Sequence, residues 1–172
     1  MVEFISQIVV HTPLWVWVIF IFLLSRGIKA RKPATVTLEK LAIIPAVFLI
    51  WDIYDLLIYR GLSLATCALW LVGLLSGAAM GYILIQRTAV TRGTAPRTLH
   101  RQADYTALPF MMLAFAVKYV LGVMSAIAPA TLARPGVSAF VIIVGGVFAG
   151  VFLGKFTRYV TFYLAGAAAP AR

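Results

Sequence analysis

Long apolar runs separated by short polar segments dominate this chain. From about Ile8 to Leu24, Leu41 to Tyr59, Leu62 to Ile85, Ala107 to Ala128 and Val137 to Phe156 the residues are almost continuously hydrophobic. The runs do not alternate with period two, so they read as helices, and each is close to the roughly 20 residues a helix needs to cross a bilayer. The expected fold is all-α and polytopic, with five transmembrane helices in a single domain over residues 1–172. A lone first helix, interrupted near its start by His11, Thr12 and Pro13, precedes two helical hairpins. Only Arg60 and Gly61 separate the second and third helices, which predicts a tight turn. Pro129 to Gly136 supplies the turn signal between the fourth and fifth.

Composition agrees with that pattern. The chain is 63% hydrophobic and 12% charged, with a mean hydropathy of +1.00. A formal charge of +10 in a soluble chain points to nucleic acid. Here the basic residues lie between the apolar runs, so they are read as topology signals and no nucleic-acid partner is expected. Arg26, Lys29, Arg31, Lys32 and Lys40 fall in the first loop, and Arg87, Arg92, Arg97 and Arg101 in the third. Lys155, Arg158 and Arg172 follow the fifth helix, so twelve of the fifteen Lys and Arg residues share one side. Arg60 and Arg134 take the other. The amino terminus is then outside and the carboxy terminus cytoplasmic. The amino-terminal MVEFISQ lacks a basic flank, so the first apolar run is read as retained rather than cleaved. Residues 87–106 form a basic cytoplasmic loop, read as topology signal and flexible linker or as a surface for anionic lipid headgroups. Lys155 breaks the fifth helix early, near Phe156 or beyond, and can snorkel at the inner interface, with Tyr159, Phe162 and Tyr163 as an aromatic belt or a short interfacial extension.

The second helix carries two carboxylates, Asp52 and Asp55, in its apolar stretch. Two such groups cost about 5–7 kcal/mol on insertion scales. The Leu, Ile, Phe and Val residues between Leu41 and Arg60 return only about 3–7 kcal/mol. The terms nearly cancel, so the aspartate side must find partners, protons or water rather than lipid. Positions three apart share a helix face. Lys118 in the fourth helix lies at similar depth if Pro45 and Pro109 are aligned, and is expected to bridge both acids, with Tyr54 and Tyr119 as hydrogen-bond partners. One excess negative charge then remains for a proton or a cation. The competing reading is an ion pair that only locks two helices together.

Gly73, Gly77 and Gly81 in the third helix and Gly146, Gly150 and Gly154 in the fifth each form a doubled GxxxG stripe. Packing within the chain is the first reading and a homo-oligomer through a free stripe the second. The stripes, with IIPAVFL and ALPFMML in the helices before them, make the two hairpins look like a parallel repeat. His11 and His100 fall on opposite sides of the membrane and cannot share a ligand. Met111, Met112 and Met124 read as core, and Cys67 as a buried apolar residue. There is no Gly-rich phosphate loop, GxSxG or HExxH, so no enzyme, metal or cofactor is expected.

The segment ARKPATVTLEKLAIIPAVFLIWDIYDLL resembles the basic loop and following helix of small bacterial inner-membrane proteins of unknown function, loosely the CcdC group named from cytochrome c biogenesis loci. Val36, Leu38, Lys40, Leu41, Ile44 and Pro45 carry the likeness, while Trp51, Asp52 and Asp55 depart from it. The resemblance implies a bacterial inner membrane and no activity. The expected function is a small carrier or channel-like protein working through Asp52, Asp55 and Lys118. The alternative is a non-catalytic accessory protein that binds through its glycine stripes and basic loops.

Overall fold

The computed structural model describes residue 10 and residues 12–85 and 90–165, so Glu3, His11, Arg87 and Arg172 lie outside the described residues. The chain divides into two compact units, Met1–Lys32 with Asp104–Pro129, and Pro33–Ala103 with Ala130–Arg172. Four helices, of 23, 22, 21 and 31 residues, are long and apolar enough to cross a membrane. The chain is thus a mainly helical, multi-pass membrane protein.

The first unit is built on α1 (Leu14–Ala30) and α4 (Ala107–Ile127). The expected start, Ile8, lies outside the described residues, and the helical course is interrupted at Thr12 and Pro13. Pro13 stands as N-cap, where its missing N–H is no loss, so the described helix begins after it and runs six residues further than expected. Arg26 and Lys29 are consequently helical. Contacts pair Gly27 with Leu108, Phe20 with Phe115, and Thr12 with Tyr119, so the two helices run antiparallel. Asp104 sets the start of α4. Its Oδ1 accepts from the Thr106 amide at 3.0 Å and hydroxyl at 2.6 Å, while its own amide donates to the Ala30 carbonyl at 2.9 Å.

The second unit contains β1 (Ala34–Thr37), α2 (Leu38–Asp55) with a π-helical last turn at Leu56–Arg60, α3 (Leu64–Ile85), β2 (Val90–Arg92) and β3 (Thr98–Arg101). A short α5 (Pro129–Leu132) leads into α6 (Pro135–Ala165). Thr37 closes β1 and caps α2, its Oγ1 accepting from the Lys40 amide at 3.4 Å. Pro45 sits inside α2 without ending it. Gly61, at φ 73° and ψ 144°, takes a backbone conformation that side chains disfavour and turns the chain within three residues toward α3.

Three short strands are added to the mainly helical fold, and two of them replace the reading of 87–106 as a flexible linker. They form one antiparallel sheet in the order β1-β3-β2, with Val36 opposite Leu99 and Arg92 opposite Leu99. Alternation puts Leu99 and Val90 on the inward face, where they pack with Ile85, Tyr159, Leu38, Leu41, Phe162 and Tyr163. Segments of the first and third loops thus meet at one end of this unit. The other correction concerns α6, which continues through a buried Lys155 to Ala165 as one helix. Its 31 residues span about 46 Å, more than the ~30 Å hydrocarbon layer, and the surplus supports the sheet.

In the first unit α4 joins α1, while within the second unit α2 docks on α6 and α3 packs most extensively on α6. Steric complementarity of the stripes is the cause. A methyl added at Gly73, Gly77 or Gly81 would overlap the carbonyl oxygens of Ile143, Val147 and Val151. One added at Gly146, Gly150 or Gly154 would overlap those of Trp70, Leu74 and Ala78. Both series advance four residues in the same direction, so α3 and α6 are parallel. Each stripe is covered by the other within the chain, and neither is free for the homodimer reading. Replacing Gly77 or Gly150 by Leu is expected to destabilise the unit by at least about 1–3 kcal/mol. Gly122→Ala, where a methyl meets nothing within 4 Å, is expected to be neutral or to stabilise by up to about 1 kcal/mol. Thermal unfolding in a single detergent reads both.

Candidate functional site

Of the ionisable residues placed in the apolar runs, Asp52 is the most enclosed, at 2% exposure. Its position follows from α2 docking on α6. One turn before it, Phe48 stacks on Phe152 with ring centroids 4.7 Å apart and an interplanar angle of 11°. Trp70 of α3 then reaches the carboxylate, Nε1 donating to Oδ2 at 3.1 Å. The Trp70 carbonyl is the one that Gly146 of α6 accommodates. The contact that holds α3 against α6 therefore also delivers the indole to Asp52. Fourteen residue steps from Leu38 put Asp52 about 21 Å along the helix, with about 12 Å remaining to Arg60.

Asp55 is half-buried, where α2 widens into its π-turn. At the end of that turn Arg60 extends Nη1 to the Leu132 carbonyl at 3.2 Å and to the Ser138 hydroxyl at 3.3 Å, tying the turn to the start of α6. Tyr54 lies on the exposed face of α2, its ring edge-on to Tyr59 at 6.3 Å, so it is directed away from the enclosed face that holds Asp52. In the first unit, Lys118 is buried on α4. Tyr119 shares a 2.7 Å hydroxyl–hydroxyl hydrogen bond with Thr12 and stacks on Phe115. The residues of the expected charged cluster are thus divided between the units, Asp52 and Asp55 belonging to the second and Lys118 to the first.

The remaining residues singled out by sequence take bland positions. Met111 is buried core, Cys67 is a half-buried free thiol, and His100 hydrogen-bonds through Nδ1 with the Thr35 hydroxyl at 3.1 Å on the exposed face of the sheet. Sequence reasoning missed Trp70, although its indole N–H, inside an apolar run, was a donor in need of an acceptor. It also missed the role of Tyr82 as an arginine partner, a 2.6 Å hydrogen bond from Arg158 Nη1.

Comparison with known proteins finds no match to a protein-family model, to a curated protein or to a solved structure.

Removing the indole donor while keeping a ring of similar size isolates the hydrogen bond. Trp70→Phe is expected to cost about 1–3 kcal/mol of stability at neutral pH, because it leaves a buried carboxylate short of a donor. The same substitution combined with Asp52→Leu is expected to cost less than the sum of the two single changes. A double-mutant cycle by thermal unfolding in detergent measures the difference.

Proposed function

We propose that this chain is a small carrier or channel-like membrane protein, or a subunit of one, which handles a proton, an ion or a small charged solute. The observation that carries the reading is the enclosed Asp52 in a helix long enough to cross the membrane, held by a neutral donor, Trp70. A carboxylate at that depth is costly, and residues of this kind in membrane helices mark ion and proton pathways. Asp55, one helical turn further on, is a second carboxyl group along the same helix.

The topology that goes with this reading has five crossings of a bacterial inner membrane, with the amino terminus outside. The 17-residue α1 is the fifth, supported by its antiparallel course along α4, which is itself long enough to cross. Orientation draws support from the sheet, which gathers Arg92, Arg97 and Arg101 at the end of the second unit where Arg158 also lies. A second reading, a non-catalytic accessory protein, is favoured by that same basic, partly exposed sheet. The glycine stripes do not serve it, since they face each other.

Purified protein in vesicles loaded with a pH-sensitive dye, driven by a potassium–valinomycin potential, tests the first reading. Proton flux above that of empty vesicles, lost with Asp52→Asn, is the expected result; Asp55→Asn and Lys118→Met, each assayed alone, report whether those groups are also required. Wild-type vesicles as tight as empty ones to protons, sodium, potassium and chloride would overturn it in favour of the accessory reading.

A further inference from the structure

At the basic end of the second unit two arginines are held by aromatic rings rather than by acids. Arg158 on α6 lies over Tyr82 at 4.7 Å and over Phe162 at 4.4 Å, and its Nη1 donates to the Tyr82 hydroxyl at 2.6 Å. Its Nε is buried and has no hydrogen-bond partner among the described residues. Arg92, on the edge strand β2, lies over Tyr163 at 4.4 Å. Phe162 and Tyr163 are successive residues of α6, so the two guanidinium groups occupy neighbouring faces of one turn, about 100° apart. The acid on this end among the described residues of the unit, Glu39, is paired with Arg97 at 3.3 Å.

Depth selects the ligand. Arg158 is 23 residue steps from Pro135, about 35 Å, and Tyr82 is 18 steps from Leu64, about 27 Å. Arg158 and Tyr82 thus bracket the ~30 Å hydrocarbon thickness, and Tyr163, over which Arg92 lies, is five residue steps or about 7 Å further out, so the pair spans the depth from the hydrocarbon edge into the headgroups. An arginine stacked on rings is preorganised, and its remaining N–H groups suit two phosphate oxygens at once. We propose that Arg92 and Arg158, braced by Tyr82, Phe162 and Tyr163, form a headgroup site for an anionic phospholipid. The site is independent of the Asp52 reading.

Native mass spectrometry of the intact chain, titrated in detergent with phosphatidylglycerol or phosphatidylcholine, tests the proposal. One phosphatidylglycerol is expected to remain bound with a preference of roughly 30-fold over phosphatidylcholine, as two interfacial arginines imply. Arg92→Gln with Arg158→Gln is expected to remove the preference, and Arg134→Gln, exposed near the start of α6, to leave it intact. Equal retention of the two lipids by the wild type, or an unchanged preference in the double variant, overturns the proposal. If the glutamine pair does not unfold cooperatively, Arg92→Lys with Arg158→Lys replaces it. A preference reduced several-fold then supports the guanidinium site, and an unchanged one overturns it. Displacement of the lipid by millimolar inorganic phosphate marks a free-anion site and also overturns the assignment.

Discussion

Six glycines of α3 and α6, each facing a carbonyl oxygen of the other helix, set the geometry from which the rest of the second unit follows. Inside a bilayer two apolar helices gain nothing by hiding from lipid tails, which are as apolar as they are. Association rests on close packing and on polar contacts between backbones. Glycine supplies both, because the absent side chain lets a Cα–H approach a carbonyl on the neighbouring helix, and each such contact adds a fraction of a kcal/mol. Repeated on both helices with the same four-residue step, the contact admits one register.

That register passes into the chemistry of the unit through α6, which supports both neighbours. On one side Gly146 accommodates the Trp70 carbonyl, and on the other Phe152 stacks against Phe48. Trp70 and Asp52 are brought within hydrogen-bonding distance because each belongs to a helix referred to the same third helix. The tie at Arg60 fixes the far end of α2 in the same way, by bonds to the Leu132 carbonyl and the Ser138 hydroxyl just before and within α6. An enclosed carboxylate is tolerated here because the backbone around it is already committed, so little conformational freedom is lost in aiming a donor at it.

How much of this the amino-acid sequence discloses depends on the range of the interaction. Helix identity is local and was legible, since apolar runs of membrane length have few other readings. The glycine stripes were legible as packing faces, but their partner was not, because GxxxG states that something comes close without naming it. The strands were hidden for a different reason. ATVT, VTR and TLHR are only three or four residues each, and their β-branched residues acquire meaning through pairings from residue 34 to 101 and from 90 to 101. Such pairings are non-local, and the arginine content of the loop drew the reading toward topology and lipid headgroups rather than toward strands. Asp52 was legible as an anomaly of burial. Its donor Trp70 was not, because a tryptophan in an apolar run is ordinary until an acceptor is found for its N–H.

The two ends of α6 bear on different problems, and distance keeps them separate. Phe152 marks the depth of Phe48, and α2 runs antiparallel to α6, as Arg60 at the start of α6 and Leu41 beside Tyr159 require. Arg158 then lies about 9 Å from that level toward the sheet, and Asp52 about 6 Å the opposite way. At a separation of at least about 15 Å and an effective dielectric constant near 20, the attraction between them is only about 1 kcal/mol. That is smaller than the roughly 2.5–3.5 kcal/mol cost of a charged aspartate at the centre of a membrane helix. The basic end therefore does not account for the burial of Asp52. What accommodates the Asp52 carboxyl group acts at closer range, with the Trp70 N–H as one contributor.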